Sequence, residues 1–468
     1  MCGVCAQQCP GRQPGGEGQC AARARITVGE GPAPGAAAAA QPEHPSHQRQ
    51  EPGAMAKERP EKAEETEQMI EKEGGKEPAE VPGGAADGRD MRAVLLSGFG
   101  GLNKLRVARK VMPEPQEGEA KIRVKACGLN FIDLMVRQGN IDNPPKTPLV
   151  PGFELSGIVE ALGGNVTGLE IGDRVMAFVN YNAWAEVACT PAEFVYKIPD
   201  DMSFSEATAF PMNFVTAYMM LFEVANLREG MSVLVHSAGG GVGQAVAQLC
   251  STVPNVTVFG TASAFKHEAI KNSLNHLFDR NADYVQEVKK ISPEGVDIVL
   301  DCLCGENTGK GIGLLKPLGT YILYGSSNMV TGETKSFFSF AKSWWQVEKV
   351  NPIKLYEENK VMSGFSLLNL LFKQGRASVI RGVVDKLLDL YNQKKIKPLV
   401  DSLWALEEVK EAMQRIHDRG NIGKLILDVE KAPTPLMAND STETSEAGEE
   451  EEDHEGDTEN KERMPFIQ

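Results

Sequence analysis

Apolar and polar positions divide the chain into unequal parts. Residues 1–90 carry no period. They are rich in Gly, Pro, Ala, Glu and Lys and poor in aromatic and β-branched side chains, which predicts disorder. From Met91 short apolar runs begin, at 91–96, 120–126, 157–161, 174–178 and 183–189. Joints such as Gly98-Phe99-Gly100-Gly101, Asn143-Pro144-Pro145 and Gly163-Gly164-Asn165 separate them, so this part predicts a barrel-like β domain. Helices are expected over 203–209, with Ser203 and Glu206 as a capping box, and over 214–224. From Met231 strands (232–235, 256–260, 296–301, 320–324) alternate with helical stretches (243–250, 266–272, 308–315). That is the signature of a parallel doubly wound sheet, whose ligand lies beyond the C-terminal strand ends. Those ends hold His236, Gly260, Asp301-Cys302 and Gly325-Ser326-Ser327. Residues 349–362 read as a connector, 383–391 and 407–417 as amphipathic helices, and 424–429 as a closing strand.

The most informative stretch joins the first parallel strand to its helix. Ser232-Val233-Leu234-Val235 runs into Ala238-Gly239-Gly240-Gly241-Val242-Gly243 and then into Gln244-Ala245-Val246-Ala247. Strand, glycine turn and helix together make a dinucleotide site: without a Cβ the backbone approaches a diphosphate, and the free N–H groups of the helix start face its charge. Ala238, Gly240, Gly241, Val242 and Gly243 are the candidate cofactor contacts, in a variant of the usual glycine spacing. An NAD site places an acid about 20 residues beyond the glycines. Here Gly260, Thr261 and Ser263 occupy that place, and no acid precedes Glu268. Ser263 can donate to a 2′-phosphate and Lys266 can neutralise it, so NADPH is the expected cofactor. The competing reading of Lys266 is a solvated lysine opening a helix.

Charge changes the picture mainly at the ends. The net charge is −15, and residues 440–468 carry 12 acidic against 2 basic side chains. The rest is therefore only mildly acidic and has no basic stripe, which argues against nucleic-acid binding. No apolar run approaches the ~20 residues that span a bilayer, and no signal peptide is expected. The dispersed cysteines fit reduced thiols and a cytoplasmic setting. Cys2-x-x-Cys5-x-x-x-Cys9 has a loose metal spacing, but the surrounding Gly/Pro/Ala sequence offers no core to hold a cluster. Met55 marks a compositional change and reads as an internal start, with 1–54 an upstream extension. The aromatic stretch 336–345 (Phe337, Phe338, Phe340, Trp344, Trp345) is open to three readings: a pocket wall, a membrane-touching face or buried packing.

Several motifs together resemble a known family. Lys125-Ala126-Cys127-Gly128-Leu129-Asn130-Phe131-Ile132-Asp133, Pro151-Gly152-Phe153-Glu154, Gly172-Asp173-Arg174-Val175, Thr216-Ala217-Tyr218 and the 238–243 turn occur in the order found in the zinc-free quinone oxidoreductase (ζ-crystallin-like) branch of the medium-chain dehydrogenases. The resemblance spans about residues 91–430. It implies a GroES-like β-barrel domain plus a Rossmann α/β domain, a cleft between them, and a homodimer. The expected organisation is a disordered extension (1–90), a GroES-like domain (91–212), an NADPH-binding Rossmann domain (213–353), a return to the β domain (354–430) and a disordered acidic tail (431–468).

The resemblance also implies roles for residues. Asn130 falls near the nicotinamide, as the candidate catalytic residue. Ser263 and Lys266 fall on the 2′-phosphate, where Arg280 replaces a family tyrosine. Gly325 and Ser326 fall where the backbone passes the nicotinamide ring. Zinc-dependent relatives of the same superfamily have a Cys where Asn130 stands and a His where Phe153 stands, and their cysteine lobe is missing here. Zinc needs three protein ligands plus an open position, so no zinc is expected. Tyrosines of quinone-reducing relatives are Met135 and Ile141 here. The expected activity is zinc-independent hydride transfer from NADPH to a quinone or enone, with the Asn130 amide and backbone N–H groups stabilising the oxyanion. The alternative is a catalytically weak NADPH-binding adaptor, peripheral to vesicles or other membranes.

Overall fold

The computed structural model describes residues 90–330, 332–334 and 350–435. The expectations for the N-terminal extension and its cysteines, the aromatic stretch 336–345 and the acidic tail from 436 onward lie outside the described residues.

A β domain comes first. β1 (Asp90–Leu96) and β2 (Leu105–Val111) form an antiparallel pair. β3 (Glu119–Leu129), β4 (Glu154–Leu162), β5 (Arg174–Phe178), β6 (Val187–Pro191) and β7 (Val195–Lys197) build most of a second, antiparallel sheet. Their inward positions form a core around Trp184, Leu96, Leu105, Ile122, Leu134 and Leu155, all nearly inaccessible to water. The strand expected over 183–189 begins only at Val187. Residues 184–186 instead bond to β1, with Val94 N donating to Trp184 O at 2.9 Å and Glu186 N to Arg92 O at 3.0 Å, after a turn in which Tyr181 and Asn182 both take left-handed φ (68° and 69°).

Parallel strands follow: β8 (Ser232–His236), β9 (Thr257–Ala262), β10 (His276–Asp279), β11 (Val296–Asp301), β12 (Leu315–Leu323) and β13 (Val361–Gly364). Their spatial order is β10-β9-β8-β11-β12-β13, so the order reverses beside β8, where a doubly wound sheet opens its ligand crevice. β8 is buried at every position, as its unbroken apolar run requires when helices cover both faces. The expected connector over 349–362 is instead a helix, Pro352–Glu358, and the start of β13. The Asn351 side chain caps that helix and Pro352 opens it, which a reading for apolar period passes over.

The chain then returns to the first sheet. β14 (Val400–Trp404) pairs with β15 (Lys424–Asp428), and β15 lies antiparallel to β3 with Leu425 opposite Leu129. Helix Phe204–Ala209 starts with the expected capping box: Ser203 Oγ accepts from Glu206 N at 3.2 Å and Glu206 Oε2 accepts from Ser203 N at 3.1 Å. Several elements met no sequence expectation, among them β2, β7, β10, β14, the helix Phe131–Gln138 and the helix Tyr284–Ile291.

Candidate cofactor and substrate cleft

A cleft of about 1980 Å³ opens beyond the C-terminal ends of the parallel strands and reaches the β domain. Its floor is the turn after β8. Ser237 takes φ 57°, and the helix Gly241–Cys250 begins with no side chain capping it, so its first N–H groups are left for a ligand. The glycines are sterically required. A Cβ on Gly243 would lie 2.6 Å from the Ala238 carbonyl oxygen and 2.7 Å from Ala238 Cα; one on Gly241 would lie 2.5 Å from the Asn213 amide. Gly240, Gly241, Val242 and Gly243 line the cleft. Ala238 does not: it is fully buried beneath the turn, donating its N–H to Thr261 O at 2.9 Å and accepting from Gln244 Nε2 at 2.9 Å.

One end of the cleft is cationic. Ser263, Lys266 and Arg280, which come from the ends of β9 and β10, meet Arg419 from the loop before β15. Lys266 donates to Asn421 O at 2.6 Å, and Arg419 donates to Ser327 O at 3.2 Å. Among the described residues none of these three cations is in an ion pair. The nearby carboxylate of Asp401 is held by Arg415 at 2.8 Å and by the N–H of Ile422 at 2.6 Å. Burial draws the Lys266 ammonium down to about 8 against an upward pull from Asp401, and the charges of Arg280, Arg415 and Arg419 push it further down. Burial, then Arg280, also lower Arg419. A partly buried cluster of uncompensated cations is a site for an anion, and the Ser263 hydroxyl, which caps no helix, stands beside it.

Asn130 sits at the other end. It caps the helix Phe131–Gln138, and its backbone N–H donates to Asp133 Oδ2 at 2.7 Å. Its amide is clamped: Nδ2 donates to Glu154 Oε1 at 2.8 Å, and Oδ1 accepts from Lys424 Nζ at 2.6 Å. Glu154 and Lys424 form a salt bridge with each other, at 0% and 3% side-chain exposure. Glu154 Oε2 accepts from Met212 N at 2.9 Å. A lysine can only donate and a carboxylate only accept, so the amide orientation is decided and one Nδ2 hydrogen remains uncommitted. This donor set does not fit zinc. An ammonium occupies the neighbourhood, Asn130 and Phe153 supply no thiolate or imidazole, and no three His, Cys, Asp or Glu side chains converge among the described residues. Asp133 is 1% exposed, and burial pushes its carboxyl up to about 8 against the lowering effect of the Asn130 N–H.

Between these ends Gly325 and Ser326 line the cleft beside Cys302 and Tyr324. The chain there is tight: Tyr324 N donates to Asp301 O, and Ser327 N to Cys302 O, each at 2.9 Å. Near Asn130 the wall is largely apolar, with Phe131, Ile132, Met135, Ile141, Phe153 and Tyr181, and carries Asn140, Asn143 and Asn180 as well. The structure thus brings every expected site residue except Ala238 to one cleft. Sequence reasoning missed Arg419, Lys424 and the partnership of Glu154. The run Arg419-Gly420-Asn421-Ile422-Gly423-Lys424, basic residues in a glycine turn before the last strand, is the signal that was available.

Comparison with known proteins agrees with this arrangement. Residues 116–200 match the alcohol dehydrogenase GroES-like domain, and residues 272–427 match the zinc-binding dehydrogenase family. The chain is 88% identical over 419 residues to the human synaptic vesicle membrane protein VAT-1 homolog-like, covering 88% of this chain and 100% of that protein. It is 31% identical over 347 residues to a quinone oxidoreductase of Pongo abelii, covering 72% of this chain and 97% of that one. A mycobacterial structure complexed with NADPH superposes with a TM-score of 0.63 at 28% identity, covering 72% of this chain and 99% of that chain.

Proposed function

Because the chain belongs to the medium-chain dehydrogenase/reductase superfamily, in its VAT-1-like group, we propose that its cleft holds NADPH and reduces a quinone or enone without zinc. The observation that carries this is the cluster of Lys266, Arg280 and Arg419 beside Ser263, a cationic end in which none of the three is ion-paired among the described residues and the nearby Asp401 is held by Arg415. The glycine turn and the helix start at Gly241 would hold the diphosphate, and Gly325 and Ser326 would flank the nicotinamide, which supplies the hydride when bound. The chain's own residues do the rest. The clamped Asn130 amide presents its remaining N–H to a developing oxyanion, where a fixed dipole is worth most. The apolar wall excludes water from an acceptor lying against it.

A homodimer fits the same architecture. β13 ends the parallel sheet, and its outer edge is unpaired among the described residues. A cytoplasmic setting is consistent with the finding that no helix among the described residues is long and apolar enough to cross a membrane. The adaptor reading has one observation in its favour: Ile353 and Tyr356, 65% and 82% exposed, lie just before β13, and the human relative is named a synaptic vesicle membrane protein.

Titration with NADPH and NADH of wild type and Lys266→Ala tests the cofactor assignment. Losing one charge-assisted contact, worth about 1.5–3 kcal/mol, should weaken NADPH roughly 10- to 150-fold and leave NADH within about twofold. Equal losses for both nucleotides refute it. Tight NADPH binding with no oxidation across a panel of quinones and enones favours the adaptor.

A further inference from the structure

Tyr181 is a conspicuous side chain in the apolar wall. Bulky residues seldom adopt left-handed backbone, yet Tyr181 does so at φ 68°, directly followed by Asn182 at φ 69°. The turn puts the phenol ring against Phe153, with ring centroids 4.9 Å apart and planes at 52°. Phe153 is almost wholly buried and cannot yield. Tyr181 is half-buried in the cleft wall with Asn130, Met135 and Ile141, and its hydroxyl has no hydrogen-bond partner among the described residues. Burial, with the neighbouring Asp133, raises the phenol above its ordinary value, so it stays protonated and able to donate through the neutral range. Packing alone is served equally well by Phe. The hydroxyl is open to the cleft rather than sealed in the core, and no described residue engages it, so it is free to donate to a ligand there.

We propose that Tyr181 recognises the carbonyl oxygen of the acceptor compound by donating its phenolic O–H, with the planar body of that compound lying along the Phe153 side of the slot. This rests on the reading of the cleft as an oxidoreductase site, and it names the side chain that meets the carbonyl of that acceptor.

The test uses two probes of nearly the same shape, duroquinone with its two carbonyls and durene with none. Each is titrated into cofactor-free full-length protein by quenching of intrinsic fluorescence. Tyr181→Phe removes one oxygen and keeps the ring, and its NADPH affinity and thermal midpoint report whether the fold is intact. Losing one neutral hydrogen bond should raise the duroquinone Kd about three- to tenfold and leave durene unchanged. An unchanged duroquinone Kd overturns the proposal. So does a durene Kd that rises in step, or a wild type that binds duroquinone no better than durene. Turnover is read separately. Tyrosine-dependent duroquinone binding without reduction sinks the oxidoreductase reading and leaves the donor in place. Reduction with identical binding by both proteins does the reverse.

Discussion

Replacing Lys424 by Met tests the buried clamp behind Asn130. Lys424 and Glu154 are 3% and 0% exposed, and each is the other's counter-charge. The substitution keeps bulk but strands the Glu154 carboxylate in a dry site, with only Met212 N and Asn130 Nδ2 as donors. Breaking a buried pair from one side costs about 3–5 kcal/mol. Roughly 340 folded residues at about 2.1 cal/mol/K each give an unfolding entropy near ~0.7 kcal/mol/K, so a loss of about 4 kcal/mol lowers the thermal midpoint by ~6 °C. Adding Glu154→Gln removes the stranded charge; its single amide oxygen keeps an acceptor for Met212 N, and its NH2 can donate to Asn130 Oδ1, which Lys424 has vacated, once the Asn130 amide turns over. The double variant should therefore recover to within about 3 °C of wild type, since neutral replacement of a buried pair is often tolerated. Scanning calorimetry on the single and double variants reads both numbers. A Lys424→Met midpoint within ~1 °C of wild type, or single-site losses that simply add, would show that the pair is not a coupled buried unit.

Three further outcomes follow from the cleft. The Lys266 ammonium titrates at about 8 in the free protein, whereas a bound phosphate favours its charged form. The NADPH Kd should thus hold steady below pH 8 and rise above it, by up to about tenfold per pH unit, while the NADH Kd stays flat; isothermal titration across pH 7–9.5 checks this. Asp133 has the opposite kind of shift, a carboxyl raised from 3.8 to about 8 by burial. Between those values the folded state binds the extra proton, so its contribution to stability is full below pH 3.8 and is lost as pH rises toward 8. Asp133→Asn should gain on wild type across that window in midpoint-against-pH scans, and parallel curves would contradict the assignment. Gly243→Ala forces a Cβ to within 2.7 Å of the backbone of Ala238. It should cost about 1–3 kcal/mol by overpacking, seen in urea unfolding, and weaken NADPH as the turn shifts.

Much of the architecture was legible because it is written in neighbours. The strands at 174–178 and 296–301 stand where short, mostly apolar runs put them. The capping box of Ser203 and Glu206 is a four-residue event. The glycine turn is a local steric demand, although the role of Ala238 was misassigned because burial beneath a turn has no period. The helix Phe131–Gln138 was missed, since its eight residues give an apolar face little length in which to repeat. The residue before it, Asn130, was expected near the nicotinamide, but its partners Glu154 and Lys424 were unseen.

By itself, then, the order of residues determined many of the strands and helices, where the backbone must lack a Cβ, and that Ser263 and Lys266 rather than an acid follow the second parallel strand. Only the tertiary structure decided which distant charges share a space. Lys424 acts on Asn130 across 294 residues because β15 lies antiparallel to β3 with Leu425 opposite Leu129, and Arg419 joins Lys266 because the same strand's entry loop crosses the cleft. Electrostatic partnership depends on distance through space and on burial, neither of which leaves a local period in a chain.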